Sequence, residues 1–349
     1  MHSISFPHFK RALRSTLLLC SAVATLCVNT ACDDDDDDIV ADKPSVTLIT
    51  DYCETDDQGY HSLVYQTISQ WEKRSDITVN ILNPKSKEVA KEMYLKWPET
   101  FGKNGKSLLI VASPNYQEMV SEEHIQLNPQ QQVLAFETQG QRLPEGVSSF
   151  AFNRNGASYL AGKMASKCGD IIVVAGKGYP YINAAWQAFQ QGLEGQHVLN
   201  VEYLSYEEDG FNKPDSAYNI AKANPNAFIF PLAGKSNLGI YHYMKDCPSS
   251  QQIVAAGMDV NFNSKNIRIP FSIVLHIDKV LDQYLQDWIS NRPWPTYQSW
   301  GMKSKMVEVV LNENFTSKLN VKKADYKTFF EKYKEEAIEK EEDFSPNNG

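Results

Sequence analysis

Nowhere in the 349-residue sequence is there a run of the about 20 apolar residues that a bilayer-spanning helix needs. The most apolar stretch, residues 17–26, is too short, and it follows Lys10, Arg11 and Arg14, the layout of a secretory signal. Cysteine is sparse as well. Of six, Cys20 and Cys27 fall in that leader and Cys32 follows it, leaving Cys53, Cys168 and Cys247 scattered singly. Three thiols cannot pair completely, so no disulfide framework supports the fold, and buried thiols acting as small hydrophobes are expected. Positive charge is also in deficit. The formal net charge is −9, and loss of residues 1–31 with their three basic side chains moves it to −12, which disfavours nucleic acid as a partner.

Catalytic signatures are missing too. There is no GxSxG elbow and no HExxH helix, and the seven histidines are dispersed; His242 and Cys247 are the nearest pair, with no further ligand beside them. Gly234-Lys235-Ser236 lacks the first glycine of a phosphate-binding loop, since position 229 is Ile. Gly176-Lys177-Gly178 begins a dinucleotide fingerprint, but Tyr181 stands where its last glycine would be. The chain is therefore not expected to be an enzyme, and no cofactor or metal is expected.

The leader ends at Asn29-Thr30-Ala31-Cys32, where small residues precede a cysteine, as at a lipoprotein processing site. Cys32 is the expected lipidated N-terminus, with an ordinary secretory signal as the alternative. Six aspartates, 33–38, repel one another and read as a disordered tether, residues 32–43. A cysteine followed by acidic residues also resembles a surface-export signal of lipoproteins. The expected location is the cell envelope, lipid-anchored to a membrane, with the outer membrane or the cell surface as the site.

From residue 44 onward, β-branched runs at 46–50, 77–82, 107–112, 132–136, 171–175, 198–204, 227–232 and 253–258 alternate with amphipathic helical stretches. One such stretch carries Tyr60, Leu63, Val64, Ile68 and Trp71 on one face; others carry Ile182, Trp186, Phe189 and Leu193, or Val280, Leu281, Tyr284, Leu285 and Trp288. This alternation predicts βαβ units around parallel sheets. It breaks near 147–153, 260–270 and 293–300. Three crossings between two Rossmann-like (flavodoxin-like) α/β lobes, joined by a multi-strand hinge, are the layout of type I periplasmic binding proteins. The expected division is lobe 1 at 44–149 plus about 258–292, and lobe 2 at 150–257 plus about 293–343. The last part includes an amphipathic helix over 322–342 with Tyr326, Phe329, Phe330 and Tyr333 on one face, and residues 344–349 form a tail.

A ligand between such lobes sits at the carboxyl ends of the strands. The cluster after the first strand contains Asp51, Asp56, Asp57, Gln58, Gly59, Tyr60 and His61. Its aspartates either accept hydroxyl donors or cap the next helix, and Tyr60 either stacks on a planar ligand or belongs to the apolar stripe.

The string Phe152-Asn153-Arg154-Asn155-Gly156-Ala157-Ser158-Tyr159-Leu160-Ala161-Gly162 is joined by Trp186-Gln187-Ala188-Phe189-Gln190-Gln191-Gly192, by the alanine-glycine end of 227–234, and by Gly257-Met258-Asp259-Val260-Asn261. Together these resemble the basic-membrane-protein family of substrate-binding lipoproteins, which includes purine nucleoside receptors feeding ABC importers. The resemblance covers roughly 46–312. It implies that Asp259 holds ribose hydroxyls, that Tyr60 and Phe211 sandwich a base, and that Asp57, His61, Asn115, Tyr116, Gly234 and Asn261 lie around them. The chain departs from the family where His61 replaces an asparagine and where the lysine that follows the serine matched by Ser272 is absent.

The expectation is thus a monomeric, membrane-anchored receptor that closes on a nucleoside-like small molecule for uptake through an importer permease. The same fold binding a sugar or other nutrient, or serving as a sensor or interaction module, remains an alternative.

Overall fold

The computed structural model describes residues 43–343 apart from 54–55, 104, 139–141, 167, 196–197 and 316–322. The leader 1–31, Cys32, residues 33–38 and the tail 344–349 lie outside the described residues.

The first sheet is built from β1 (Ser45–Ile49), β2 (Thr78–Leu82), β3 (Ser107–Val111), β4 (Gln131–Phe136) and β5 (Val147–Phe152), with α1 (Tyr60–Arg74), α2 (Lys87–Lys96) and α3 (Gln117–Glu122) between them. All its pairings are parallel. Ser-Leu-Leu-Ile-Val in β3 is buried at every position, as a central parallel strand covered on both faces must be.

The chain then crosses to the second lobe through α4 (Asn155–Ala165), followed by β6 (Ile171–Ala175), α5 (Pro180–Gly192), β7 (Asn200–Tyr203), α6 (Pro214–Ala223), β8 (Phe228–Leu232) and α7 (Asn237–Asp246). Helices α4 and α5 touch through glycines. A Cβ on Gly162 would stand 2.1 Å from the Phe189 carbonyl oxygen, and one on Gly192 would stand 2.2 Å from that of Tyr159. The serine-tyrosine-leucine-alanine-glycine string and the helix ending in glycine are therefore two halves of one packing contact.

Strands β7-β6-β8-β9 form a parallel sheet, with β9 at Val254–Ala255. Ala256 still donates to the Ile229 carbonyl (3.2 Å), and β10 (Gly257–Asp259) then pairs with β11 (Phe271–Leu275). Pro231 lies two residues beyond Ile229, with its nitrogen on the side where the ladder to β9 has ended, so its missing N–H costs no strand bond there.

The remaining elements are α8 (Ile277–Ile289), β12 (Tyr297–Trp300), β13 (Val307–Leu311) and α9 (Lys323–Lys340). Here the strand pairing differs from the expected division. Residues 258–275 go with the second lobe, because β10 follows on from β9 with Ala256 still bonded to β8, and β10, β11 and antiparallel β13 then form a separate three-stranded sheet. Strand β12 instead pairs with β5 in the first lobe. Helix α8 packs on α1, where Trp71 Nε1 donates to Asp282 (2.6 Å). The second crossing thus moves to His276 and the third to the turn between β12 and β13. The Asn- and Lys-rich stretch read as a crossing is a loop within the second lobe, where the Asn312 side chain donates to the carbonyls of Asn263, Asn266 and Ile269.

Among the described residues no helix is long and apolar enough to cross a membrane.

Candidate functional site

The carboxyl ends of β1, β3 and β4 face those of β6, β8 and β10 across a cavity of about 630 Å³, counting its open mouth.

The first lobe contributes polar groups that already satisfy one another. Asp51 accepts from the Cys53 amide (2.5 Å), from the Ser113 hydroxyl and from Asn115 Nδ2 (2.8 Å). Glu137 leaves the end of β4 in a left-handed backbone conformation (φ 58°) and is buried. One of its oxygens accepts from Arg154 (2.8 Å) and the other from the Phe152 amide (3.2 Å). Burial pulls the Arg154 guanidinium down, but Glu137 and Asp259 beside it more than compensate and hold it above its usual value. Arg154 stands at the hinge where β5 gives way to α4, and its guanidinium lies over the Tyr181 ring (5.8 Å).

The second lobe contributes an aromatic wall and one unsatisfied acid. The Phe211 ring packs so closely on Gly176 that a Cβ there would be 2.5 Å from it, so only glycine admits the ring. Tyr181 and Ile182, at the start of α5, and Asn237, Gly234 and Met258 complete this side.

Asp259 ends β10 with φ 66°, a strained position that asparagine and aspartate tolerate best. No protein hydrogen bond or ion pair engages its carboxylate among the described residues. Burial, with Asp57 and Glu137 nearby, outweighs the opposing pull of Arg154 and His61 and pushes its pKa up to about 6. The buried Tyr60 hydroxyl also has no hydrogen-bond partner among the described residues, and burial and the charge of Glu137 hold it protonated.

Of the residues expected at the site, Tyr60, His61, Asn115, Phe211, Gly234 and Asp259 line the cavity. Three do not. Asp57 caps α1, one oxygen accepting from the amides of Gly59 (2.9 Å) and Ser62 (3.0 Å) and the other from that of His61 (2.9 Å). Tyr116 is fully buried, its hydroxyl donating to the Thr50 carbonyl (2.9 Å). Asn261 is exposed and turns back to the Asn263 amide (3.0 Å).

Tyr60 is no open stacking face either. Its ring meets His61, Phe136 and Phe152 edge-on at 5.2, 6.4 and 6.3 Å, which leaves the hydroxyl as its contribution. Arg154, Glu137, Tyr181 and Asn237 were not anticipated. Glu137 follows directly on the buried strand β4 and Arg154 comes two residues after β5, strand-end positions of the kind where a ligand between lobes is held. Among the described residues no group of three His, Cys, Asp or Glu side chains is disposed to hold a metal ion.

A family model described as Bmp, ABC transporter substrate-binding protein PnrA-like, matches residues 45–342. The chain belongs to the Bmp family. It is thereby a substrate-binding protein of the ABC transporter type, from a family that works outside the cytoplasm and captures small molecules. Comparison with curated protein sequences gave no significant match.

Solved structures similar to this Bmp-family chain include an ABC transporter solute-binding protein from Aeropyrum pernix, with TM-score 0.65, 14% identity and 86% of this chain matched to 90% of that one. A transcriptional activator of the comK gene from Bacillus halodurans gives TM-score 0.60 at 14% identity, with 83% and 97% covered. A periplasmic solute-binding protein from Actinobacillus succinogenes with bound D-allose gives 0.53 at 14%, with 78% and 99% covered. These likenesses show the fold, that of type I periplasmic binding proteins.

Proposed function

We propose that the cavity captures an uncharged ligand that combines vicinal hydroxyls with a planar ring, a nucleoside with a purine base being the first choice. The observation that carries this reading is Asp259, an acid with no protein partner placed in one cavity with the Phe211 and Tyr181 rings. An ionised carboxylate accepts two hydroxyl donors at once, and aromatic walls reward a flat partner. The cavity's acids, Asp51, Glu137 and Asp259, outnumber its one guanidinium, Arg154, which disfavours an anionic ligand.

A ligand touching both lobes favours their closed arrangement by its differential affinity for it. In this reading Cys32 carries the lipid anchor in the cell envelope, and an importer permease receives the cargo. The same acid and rings also suit a pyranose, as the fold's occurrence with bound D-allose illustrates.

Isothermal titration and thermal shift with purine nucleosides, pyrimidine nucleosides, D-allose and D-glucose separate the two. Submillimolar purine nucleoside binding supports the proposal. Binding of the sugars alone would move the assignment to them, and no binding across the panel would remove both.

A further inference from the structure

A hydroxyl behind the aromatic wall of the second lobe reaches across to the first lobe. Pro180, at the first position of α5, holds Tyr179 in an extended conformation (φ −65°, ψ 148°) and so aims its side chain across the gap. The Tyr179 ring stacks on Tyr181 (centroids 5.6 Å apart, planes 15° apart) and on Phe211 (5.9 Å, 14°), the two rings that line the cavity. Its hydroxyl lies 3.1 Å from Asn115 Oδ1 in the first lobe and 3.1 Å from Glu208 Oε1 in its own.

The orientation of Asn115 is fixed by chemistry. A carboxylate only accepts, so the amide nitrogen must face Asp51 and the amide oxygen must face Tyr179. Asn115 and Glu208 are therefore both acceptors competing for the phenol's single proton. Glu208 is also paired with Lys177 (3.1 Å). Burial and the Glu208 charge keep the phenol protonated, so it remains a donor.

We infer that Tyr179 is a positioning residue that converts ligand contact in the second lobe into lobe closure. Its hydroxyl rests on Glu208 when the lobes part and is shared with Asn115 when they meet. A ligand stacked on Phe211 and Tyr181 orders the Tyr179 ring and so favours the bond across the gap. Because Glu208 satisfies the hydroxyl in the open state, the latch adds only a modest bias, and the empty protein is free to reopen. This inference rests on the reading of the cavity as a closing receptor site, but not on the ligand being a nucleoside.

The test is Tyr179→Phe, which keeps the stacked ring and removes the hydroxyl. In the ligand-free protein, small-angle X-ray scattering should show a larger radius of gyration for the variant than for the wild type. With adenosine as the probe, stopped-flow kinetics should show dissociation faster by about three- to tenfold, the worth of one net hydrogen bond, with the association rate constant within about twofold. A residue that only braces its own lobe would lower the melting temperature and leave both readouts unchanged, and that result overturns the inference.

If adenosine does not bind the wild type, the nucleoside assignment fails by itself. The scattering comparison then decides alone: an expanded variant supports the latch, and an unchanged one overturns it.

Discussion

The two walls of the cavity handle negative charge in opposite ways. On the first lobe, Asp51 and Glu137 are fully spoken for by protein donors, as is Asp57 just behind the cavity. On the second, Asp259 meets the cavity with no hydrogen bond from the described residues and a pKa raised to about 6. A saturated carboxylate positions the backbone and cannot greet a ligand, whereas an unsaturated one is a cost to the empty fold that a ligand can relieve.

The comparison breaks most sharply at Glu137. Replacing it by Ala leaves the buried Arg154 guanidinium without its partner, and urea unfolding should report a loss of about 3–5 kcal/mol. A loss under about 1 kcal/mol would mean that the pair is not structural.

Asp259→Asn should do the reverse. It removes two charge-assisted acceptors and should weaken ligand binding by on the order of 100-fold, about 3 kcal/mol, while leaving the ligand-free protein as stable or more so at pH 7. Titration and a melting curve on the same preparation check both halves.

Asp57→Ala should cost about 1–2 kcal/mol of stability through loss of the cap and change ligand affinity by less than about threefold. A larger affinity loss would put Asp57 back among the ligand contacts.

The smallest effect is that of pH. Asp259 has a folded pKa above its unfolded value, so its ionised form destabilises the empty protein above about pH 6, and the cost is relieved as the pH falls toward 4. Burial first, and then the charges of Arg154, Asp57, Glu137 and His61 around it, set that value. Between pH 7 and 5 the ligand-free wild type should gain about 1 kcal/mol relative to Asp259→Asn, while its affinity for a hydroxyl ligand falls. Paired denaturation curves at the two pH values would reveal an absent or reversed difference.

Much of this was legible beforehand, because parallel strands covered on both faces announce themselves as short apolar runs. Strand ends then located the cluster around Tyr60, and the family resemblance pointed to Asp259 and Phe211. What the sequence did not disclose is which acceptors are already taken. Asp57 and Asp259 are the same residue type and both stood among the expected ligand contacts, but the backbone amides around Asp57 take up its carboxylate. Lobe membership after residue 258 was also hidden, since it depends on which distant strand β11 and β12 pair with. Arg154 went unnoticed as a site residue because it sits inside a string that was read for its glycines and aromatics.

That string has a wider consequence. The contact of Gly162 with Gly192 locks two helices whatever the cavity holds, and because Arg154 at the head of the same string lines the cavity, the scaffold's joint and the cargo's wall are built from one stretch of chain.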